Sequence, residues 1–217
     1  MNRLKSSMRT FQVIPIAFSI SFLAASANAF PIPYRTLRYE GVVGQTEWYT
    51  CGPAAVATLL TQFYNLKTSE TEILKLSLDA MAGTGKDPTK GGMTALALKQ
   101  ALSKKGIPAK GIQITSKALT DYFDAGGLPI ILHVTKPQLH YVLAIGMVKD
   151  RVILADPSFG RRILPMSTLV EEKGFNGVTL VPIPPPTLVS YIREQQSKTL
   201  RWAENRLERL STLRQRL

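Results

Sequence analysis

The single cysteine of this chain, Cys51, is followed by Gly52-Pro53 and then by the strongest helical run in the sequence, Ala54-Ala55-Val56-Ala57-Thr58-Leu59-Leu60-Thr61-Gln62-Phe63-Tyr64. Proline is tolerated in the first turn of a helix, where its missing N–H has no intrahelical acceptor, and Thr50 is suited to the N-cap. The order of residues therefore puts a thiol at a helix N-terminus. Whatever this chain folds into must begin a helix on its only sulfhydryl.

Around that helix the chain has two textures. Residues 30–44 read as extended, punctuated by Pro31 and Pro33, with Val42-Val43 between two glycines. Residues 69–81 read as a helix opening on the Ser-x-x-Glu cap signal of Ser69 and Glu72. Residues 82–92, rich in Gly, Lys, Asp and Pro, read as a loop, 93–105 as a third helix and 116–124 as a short fourth. From Gly127 the apolar runs become short and β-branched, at 128–134, 141–148, 151–154 and 178–183, with Lys149-Asp150 as a hairpin turn. Helices followed by antiparallel strands make an α+β pattern. Pro182, Pro184, Pro185 and Pro186 close this domain. Residues 187–217 lack Gly and Pro and read as helical. Leu200, Leu207, Leu210, Leu213 and Leu217 recur at helical spacing, and Arg201, Arg206, Arg209, Arg214 and Arg216 dominate the polar side.

The first residues have the layout of a secretory signal. Residues 1–10 carry Arg3, Lys5 and Arg9 and no acid, residues 11–25 are mostly apolar and small, and Ala27-Asn28-Ala29 is a small-residue cleavage site. The alternative, an uncleaved anchor helix, fits less well, because the run is short for a span and is diluted by Pro15, Ser19 and Ser21. The expected organisation is a signal peptide over 1–29, one domain over 30–183, and a Pro-rich linker with a basic amphipathic helical tail over 184–217. The expected location is a bacterial periplasm. The net charge of +12 loses three positive charges with the signal, so the mature chain stays basic and attracts anionic surfaces. Nucleic acid is a poor partner for it, since export argues against that role and no aromatic-basic interleaving is present.

Export sharpens the question of the cysteine. Exported proteins usually carry cysteines in disulfide pairs, and a lone thiol there is open to oxidation, so it calls for either inert burial or a chemical role. The reactive form of cysteine is the thiolate, and a free thiol with a pKa of about 8.5 is mostly protonated at neutral pH. A helix N-terminus and a nearby imidazolium both favour the thiolate. The chain offers two histidines. His133 lies inside the run 128–134, with Leu132 and Val134 turned to the other side of a strand, and reads as a core histidine satisfied by hydrogen bonds. His140 follows the loop Lys136-Pro137-Gln138-Leu139 and opens the next strand, a better position for a base. A third group must fix the imidazole. Asp156, at the end of the following strand, would fall at the same sheet edge as His140. Asp156-Pro157 reads equally well as a plain turn. Gln45, six positions before Cys51, could supply an amide donor to an oxyanion beside the Cys51 N–H, although a glutamine in a loop says little by itself.

Taken together, Gln45, Cys51-Gly52-Pro53-Ala54-Ala55, His140-Tyr141-Val142 and Asp156-Pro157 resemble the C39 family of papain-like cysteine peptidases. The stretch Asp156-Pro157-Ser158-Phe159-Gly160 with Gly174-Phe175-Asn176-Gly177 resembles its C-terminal part. The resemblance spans about residues 38–181. It implies a papain-like α+β fold, with N-terminal helices packed on an antiparallel sheet. It also implies Cys51 as nucleophile, His140 as base, Asp156 as its orienter and Gln45 as oxyanion residue. The family is best known for exporter domains that cleave leader peptides after Gly-Gly. Those commonly carry Asp where this chain has Thr50, and they lie on the other side of the membrane, so Gly-Gly specificity is not implied. An exported, stand-alone form resembles the members that accompany functional-amyloid secretion. That resemblance implies a polypeptide substrate and partners among amyloid subunits or an outer-membrane pore.

Three activities fit these residues: an endopeptidase, a Cys-dependent acyltransferase or amidase with the same triad, and a non-catalytic peptide-binding module. Joint presence of Cys51, Gln45, His140 and Asp156 favours an enzyme. Trp48 and Tyr49 read as packing or as the wall of a subsite, Gly91-Gly92 as a turn, and Met81 and Met93 as core. Nothing suggests a cofactor, and two histidines with one cysteine make a poor metal site. The tail is expected to pack on its own domain or self-associate, with a partner helix or an anionic membrane surface as the alternatives.

Overall fold

The computed structural model describes residues 33–214. The expected signal peptide, its cleavage site and Leu217 lie outside the described residues. Cys51–Phe63 forms the central helix (α2), preceded by a short helix Tyr34–Arg38 (α1) and followed by Glu70–Met81 (α3), the single turn Pro88–Gly91 (α4) and Ala95–Lys104 (α5). The strand Ala109–Gln113 (β1) and the helix Ser116–Asp124 (α6) lead into Ile130–Val134 (β2), His140–Val148 (β3), Arg151–Asp156 (β4) and Gly160–Pro165 (β5). Met166–Glu171 (α7), Phe175–Pro182 (β6) and the long helix Pro186–Arg214 (α8) complete the chain. The six strands form one antiparallel sheet in the order β1-β6-β2-β3-β4-β5. This is the expected α+β architecture. No helix of the described residues is long and apolar enough to cross a membrane.

Two expectations are corrected. Residues 34–38 are helical rather than extended, because Pro33 stands just before α1 and its carbonyl accepts from the Thr36 and Leu37 N–H groups at 2.9 and 3.3 Å. The loop 82–92 contains α4, which is capped by Asp87 Oδ1 accepting from Thr89 N at 2.9 Å. The Ser69 cap is present, with Ser69 Oγ accepting from Glu72 N at 3.1 Å.

Alternation along β3 separates two cores. Tyr141, Leu143 and Ile145 face α2 and α5 and join the larger cluster with Leu59, Leu60 and Leu98. Val142 and Ala144 face the other way, toward Leu119 of α6 and Leu169 of α7. α2 is buried almost all round, as a helix apolar on every face must be. Burial of such side chains stabilises by roughly 1.5–3 kcal/mol each.

α8 crosses the α2 side of the sheet. Its contact face runs through Leu188, Ile192, Leu200, Ala203 and Leu207. Buried Gln196 donates through Nε2 to the carbonyls of Gly127 at 2.8 Å and Ile145 at 2.6 Å. The β3–β4 register shifts between Ala144 and Gly146, so the Ile145 carbonyl falls in a bulge and finds its partner on α8 rather than in the ladder. The leucine stripe therefore splits: Leu200 and Leu207 pack on the domain, whereas Leu210 and Leu213 stay exposed.

Candidate active site

Cys51 is the first residue of α2 and is only 4% exposed. Thr50 occupies the N-cap position but does not cap with its side chain. Its hydroxyl turns back, accepting from Glu47 N at 3.1 Å and donating to Glu47 O at 2.9 Å. The first amides of α2 therefore keep their outward-facing donors. Gly52 lets the helix end approach the sheet: a Cβ there would lie 2.8 Å from a Leu98 methyl and 3.3 Å from the Tyr141 ring. A larger residue would push the thiol away from β3.

His140 opens β3 and Asp156 closes β4, and the antiparallel ladder brings both to one sheet edge. His140 Nε2 lies 2.9 Å from Asp156 Oδ1. An ionised carboxylate only accepts, so Nε2 carries the proton and Nδ1 is the nitrogen that Asp156 leaves free. Burial by itself would lower the pKa of His140. The hydrogen bond it donates to Asp156, the neighbouring Cys51 and the charge of both reverse the effect and raise it to about 9. Asp156 is 2% exposed. Burial would raise its pKa, but the hydrogen bond and charge of His140, the Ser158 N–H and Arg162 bring it below the ordinary carboxylate value. Its Oδ1 accepts from Ser158 N at 2.9 Å and Phe159 N at 3.2 Å, and Oδ2 faces Arg162 Nη1 at 3.3 Å. The Asp-Pro turn and the carboxylate that pairs with His140 are thus one feature.

Gln45 reaches the same turn. Its N–H donates to Pro157 O at 3.0 Å, and its side-chain Oε1 accepts from Ser158 Oγ at 2.7 Å. Its Nε2 donates to Glu47 O at 3.0 Å and lies 3.5 Å from Trp48 O. Carbonyls accept only, so this side of the amide is nitrogen. Both N–H groups of the amide thus have carbonyl acceptors, the 3.5 Å bond to Trp48 O being the weaker and the easier to exchange for a ligand oxygen.

His133 stays apart from this cluster. It is half-buried in β2, tilted against Tyr141 at 4.8 Å between ring centroids. Burial lowers its pKa, the neighbouring Asn176 opposes that, and the charge of His140 adds to it. Trp48 is 47% exposed and edge-on to Tyr49, whose ring joins the core. The packing reading therefore holds for Tyr49 and not for Trp48.

Two residues escaped the sequence reading. Ser158 joins Gln45 to the Asp156 turn, and Arg162 balances the buried carboxylate. Neither carries a signal of its own. Arg162 is one of two adjacent arginines on a strand with no apolar pattern, and Ser158 is an ordinary turn residue. On the sheet face away from α2, His140 and Asp156 form part of the wall of an apolar cavity of ≈ 230 Å³. Val142, Leu154, Leu164 and Leu169 line its floor, with Lys136 and Lys173 also on its lining.

Comparison with known proteins agrees with the fold. The model of the peptidase C39 family matches residues 40–187. The peptidase domain of Streptococcus ComA, a bifunctional ABC transporter involved in a quorum-sensing pathway, superposes with a TM-score of 0.56 at 25% identity, covering 66% of this chain and 98% of that domain. The chain is 27% identical over 146 residues to the probable functional amyloid protease FapD of Pseudomonas fluorescens, covering 66% of this chain and 61% of that protein. It is 26% identical over 183 residues to the protein of the same name from Pseudomonas aeruginosa, covering 78% of this chain and 77% of that one. This chain belongs to the peptidase C39 family and is a cysteine peptidase.

Proposed function

We propose that this peptidase works in the periplasm, on a polypeptide exported with it in functional-amyloid biogenesis, through Cys51, His140 and Asp156 as a triad with Gln45 at the oxyanion. The observation that carries the triad is the 2.9 Å contact between His140 Nε2 and Asp156 Oδ1, on an imidazole whose pKa is also raised by Cys51 at the head of α2. Asp156 and Cys51 raise the pKa of His140 to about 9, and an imidazolium is the partner that a cysteine nucleophile needs to react as its thiolate. The sulfur attacks the scissile carbonyl. The resulting oxyanion takes hydrogen bonds from the Cys51 N–H and from the Gln45 N–H that gives up its 3.5 Å bond to Trp48 O. His140 gives its proton to the departing amine, the C–N bond breaks, and a thioester remains on Cys51. His140, now neutral, takes a proton from water as the water oxygen adds to the thioester carbonyl; the C–S bond then breaks, which returns the Cys51 thiolate beside the imidazolium and releases the new carboxylic acid, which gives its proton to solvent. Asp156 steadies the imidazolium and holds its tautomer throughout. The setting is supported by the signal layout of residues 1–29 and by the names of the two Pseudomonas relatives.

The test is intact-mass labelling of Cys51 with iodoacetamide as a function of pH, in the wild type and in His140→Ala. Rapid wild-type labelling well below the free-thiol range of about 8.5, lost in the variant, is expected. Labelling that rises only near that range in both proteins would remove the triad and leave a peptide-binding role. Incubation with a purified amyloid subunit then tests the setting, with a discrete cleavage product expected from wild type and none from Cys51→Ala.

A further inference from the structure

The basic tail builds a second site together with parts of the molecule far from it in sequence. α1, β5 and α8 enclose a groove of ≈ 640 Å³. Five arginines line it: Arg38, Arg151, Arg161, Arg162 and Arg206. The other seven lining residues are apolar or aromatic, and none is acidic. Three of the guanidiniums are engaged. Arg38 Nε donates to Phe159 O at 2.7 Å, Arg161 pairs with Glu40 and stacks at 4.2 Å over the Trp202 ring, and Arg162 faces Asp156. Two are not so satisfied. Arg151 has a 3.9 Å approach to its own exposed neighbour Asp150, and Arg206 has no acidic partner among the described residues. Beside them the groove exposes large apolar groups, with Tyr34 at 76%, Leu37 at 52% and Leu210 at 56%. Unmatched guanidiniums next to exposed apolar side chains call for an occupant carrying both carboxylates and apolar anchors.

The groove adjoins the active site. Phe159 and Arg162 line both it and the cavity that holds His140 and Asp156. Gly160, at φ +73, turns the chain between them, and a Cβ there would lie 2.0 Å from Arg38 O, so α1 is clamped against the turn that carries Asp156. A concave site of this kind receives a chain, whereas a bilayer surface calls for a flat or convex face. Tyr34, Leu37, Trp202, Arg206 and Leu210 all lie outside residues 40–187, the part matched by the family model.

We infer that this arginine groove is a docking site for an acidic, apolar-bearing segment of the polypeptide substrate, lying beside the bond to be cut. That the occupant is the substrate rests on the triad proposed above; the groove's preference for acidic chains does not. Arginine is suited to this task because its planar fork pairs with carboxylates in two parallel hydrogen bonds.

The test measures fluorescence anisotropy of a labelled synthetic peptide in which Glu and Leu recur, and of its Gln counterpart, against the full chain. The same measurement is made on Arg151→Glu/Arg206→Glu and Arg151→Gln/Arg206→Gln, two positions outside the catalytic machinery. The Glu peptide should bind the wild type at least about tenfold more tightly than the Gln peptide, and more weakly as salt is raised. The Gln variant should lose part of that preference and the Glu variant all of it, a graded order that misfolding does not produce. Iodoacetamide labelling of Cys51 should keep its wild-type pH profile in both variants. Equal binding of the two peptides, or undiminished binding by the Glu variant, would overturn the docking site. So would capture of phosphatidylglycerol vesicles by the wild type without peptide binding, which would make the patch a membrane surface. Loss of the triad would show in the wild-type labelling profile alone, with peptide binding unchanged.

Discussion

The rim of the sheet and its interior each hold a histidine, and the two behave in opposite ways. His140 opens β3 at the rim opposite Val134, and His133 pairs with Tyr141 one step into the ladder. Both are partly desolvated, which by itself lowers an imidazole pKa. At the rim, a carboxylate at 2.9 Å reverses the sign and raises His140 to about 9. In the interior, His133 has Tyr141 and Asn176 as neighbours and stays lowered. The two rings differ because the end of the neighbouring strand brings a carboxylate to His140 and none to His133.

Removing each histidine in turn should give the largest difference between rim and interior. His140→Ala, like Cys51→Ala, should lower kcat/KM by at least about a thousandfold while far-UV circular dichroism and thermal melting stay near wild type. Equal loss of activity in folded His133→Ala would void the distinction between rim and interior. Asp156→Asn comes next. It keeps the shape but not the charge, and should cost about a hundred- to ten-thousandfold in kcat. NMR titration should then find His140 well below about 9.

The same contact sets a pH dependence of stability. The folded pKa of His140 lies above its ordinary 6.5, so its contribution is full below about 6.5 and is lost as pH rises through about 9. Asp156 is shifted down from 3.8, so its contribution is present above that value and is lost as pH falls through the lower folded one. Urea unfolding across pH should show the alkaline loss in wild type and a smaller one in Asp156→Asn. Ser158→Ala should have a milder effect, about three- to tenfold in kcat with KM little changed, since it frees Gln45 Oε1 without touching the triad. The smallest change in activity belongs to His133→Ala, which should stay within about twofold in kcat/KM and lower stability by about 1 kcal/mol in denaturant unfolding.

Much of this architecture was legible because helices and central strands write their burial into the sequence. α6 matches the expected 116–124, and β2, β3, β4 and β6 fall on the four expected apolar runs with ends shifted by a few residues. The strands that were not legible, β1 and β5, are the two sheet edges. β1 is buried at Ala109 alone and β5 at Gly160 alone, so neither needs an apolar alternation. They are strands because a neighbour presents an unpaired ladder, a condition recorded in β6 and β4 rather than in their own residues. The tail shows the same limit: its leucine spacing announced a helix, but the bulge carbonyl that Gln196 satisfies belongs to β3.

By itself the sequence determined that a thiol stands at a helix N-terminus, that the fold is α+β, and which of two histidines stands at a strand end. Periodicity and local chemistry are enough for each of these. Only the tertiary structure decided that Asp156 is more than a turn, that Ser158 ties Gln45 to it, that Arg162 balances it, and that α1, β5 and α8 line one groove. Those facts depend on residues distant in sequence meeting at hydrogen-bonding distance, and the antiparallel register that brings them together is a property of the whole sheet.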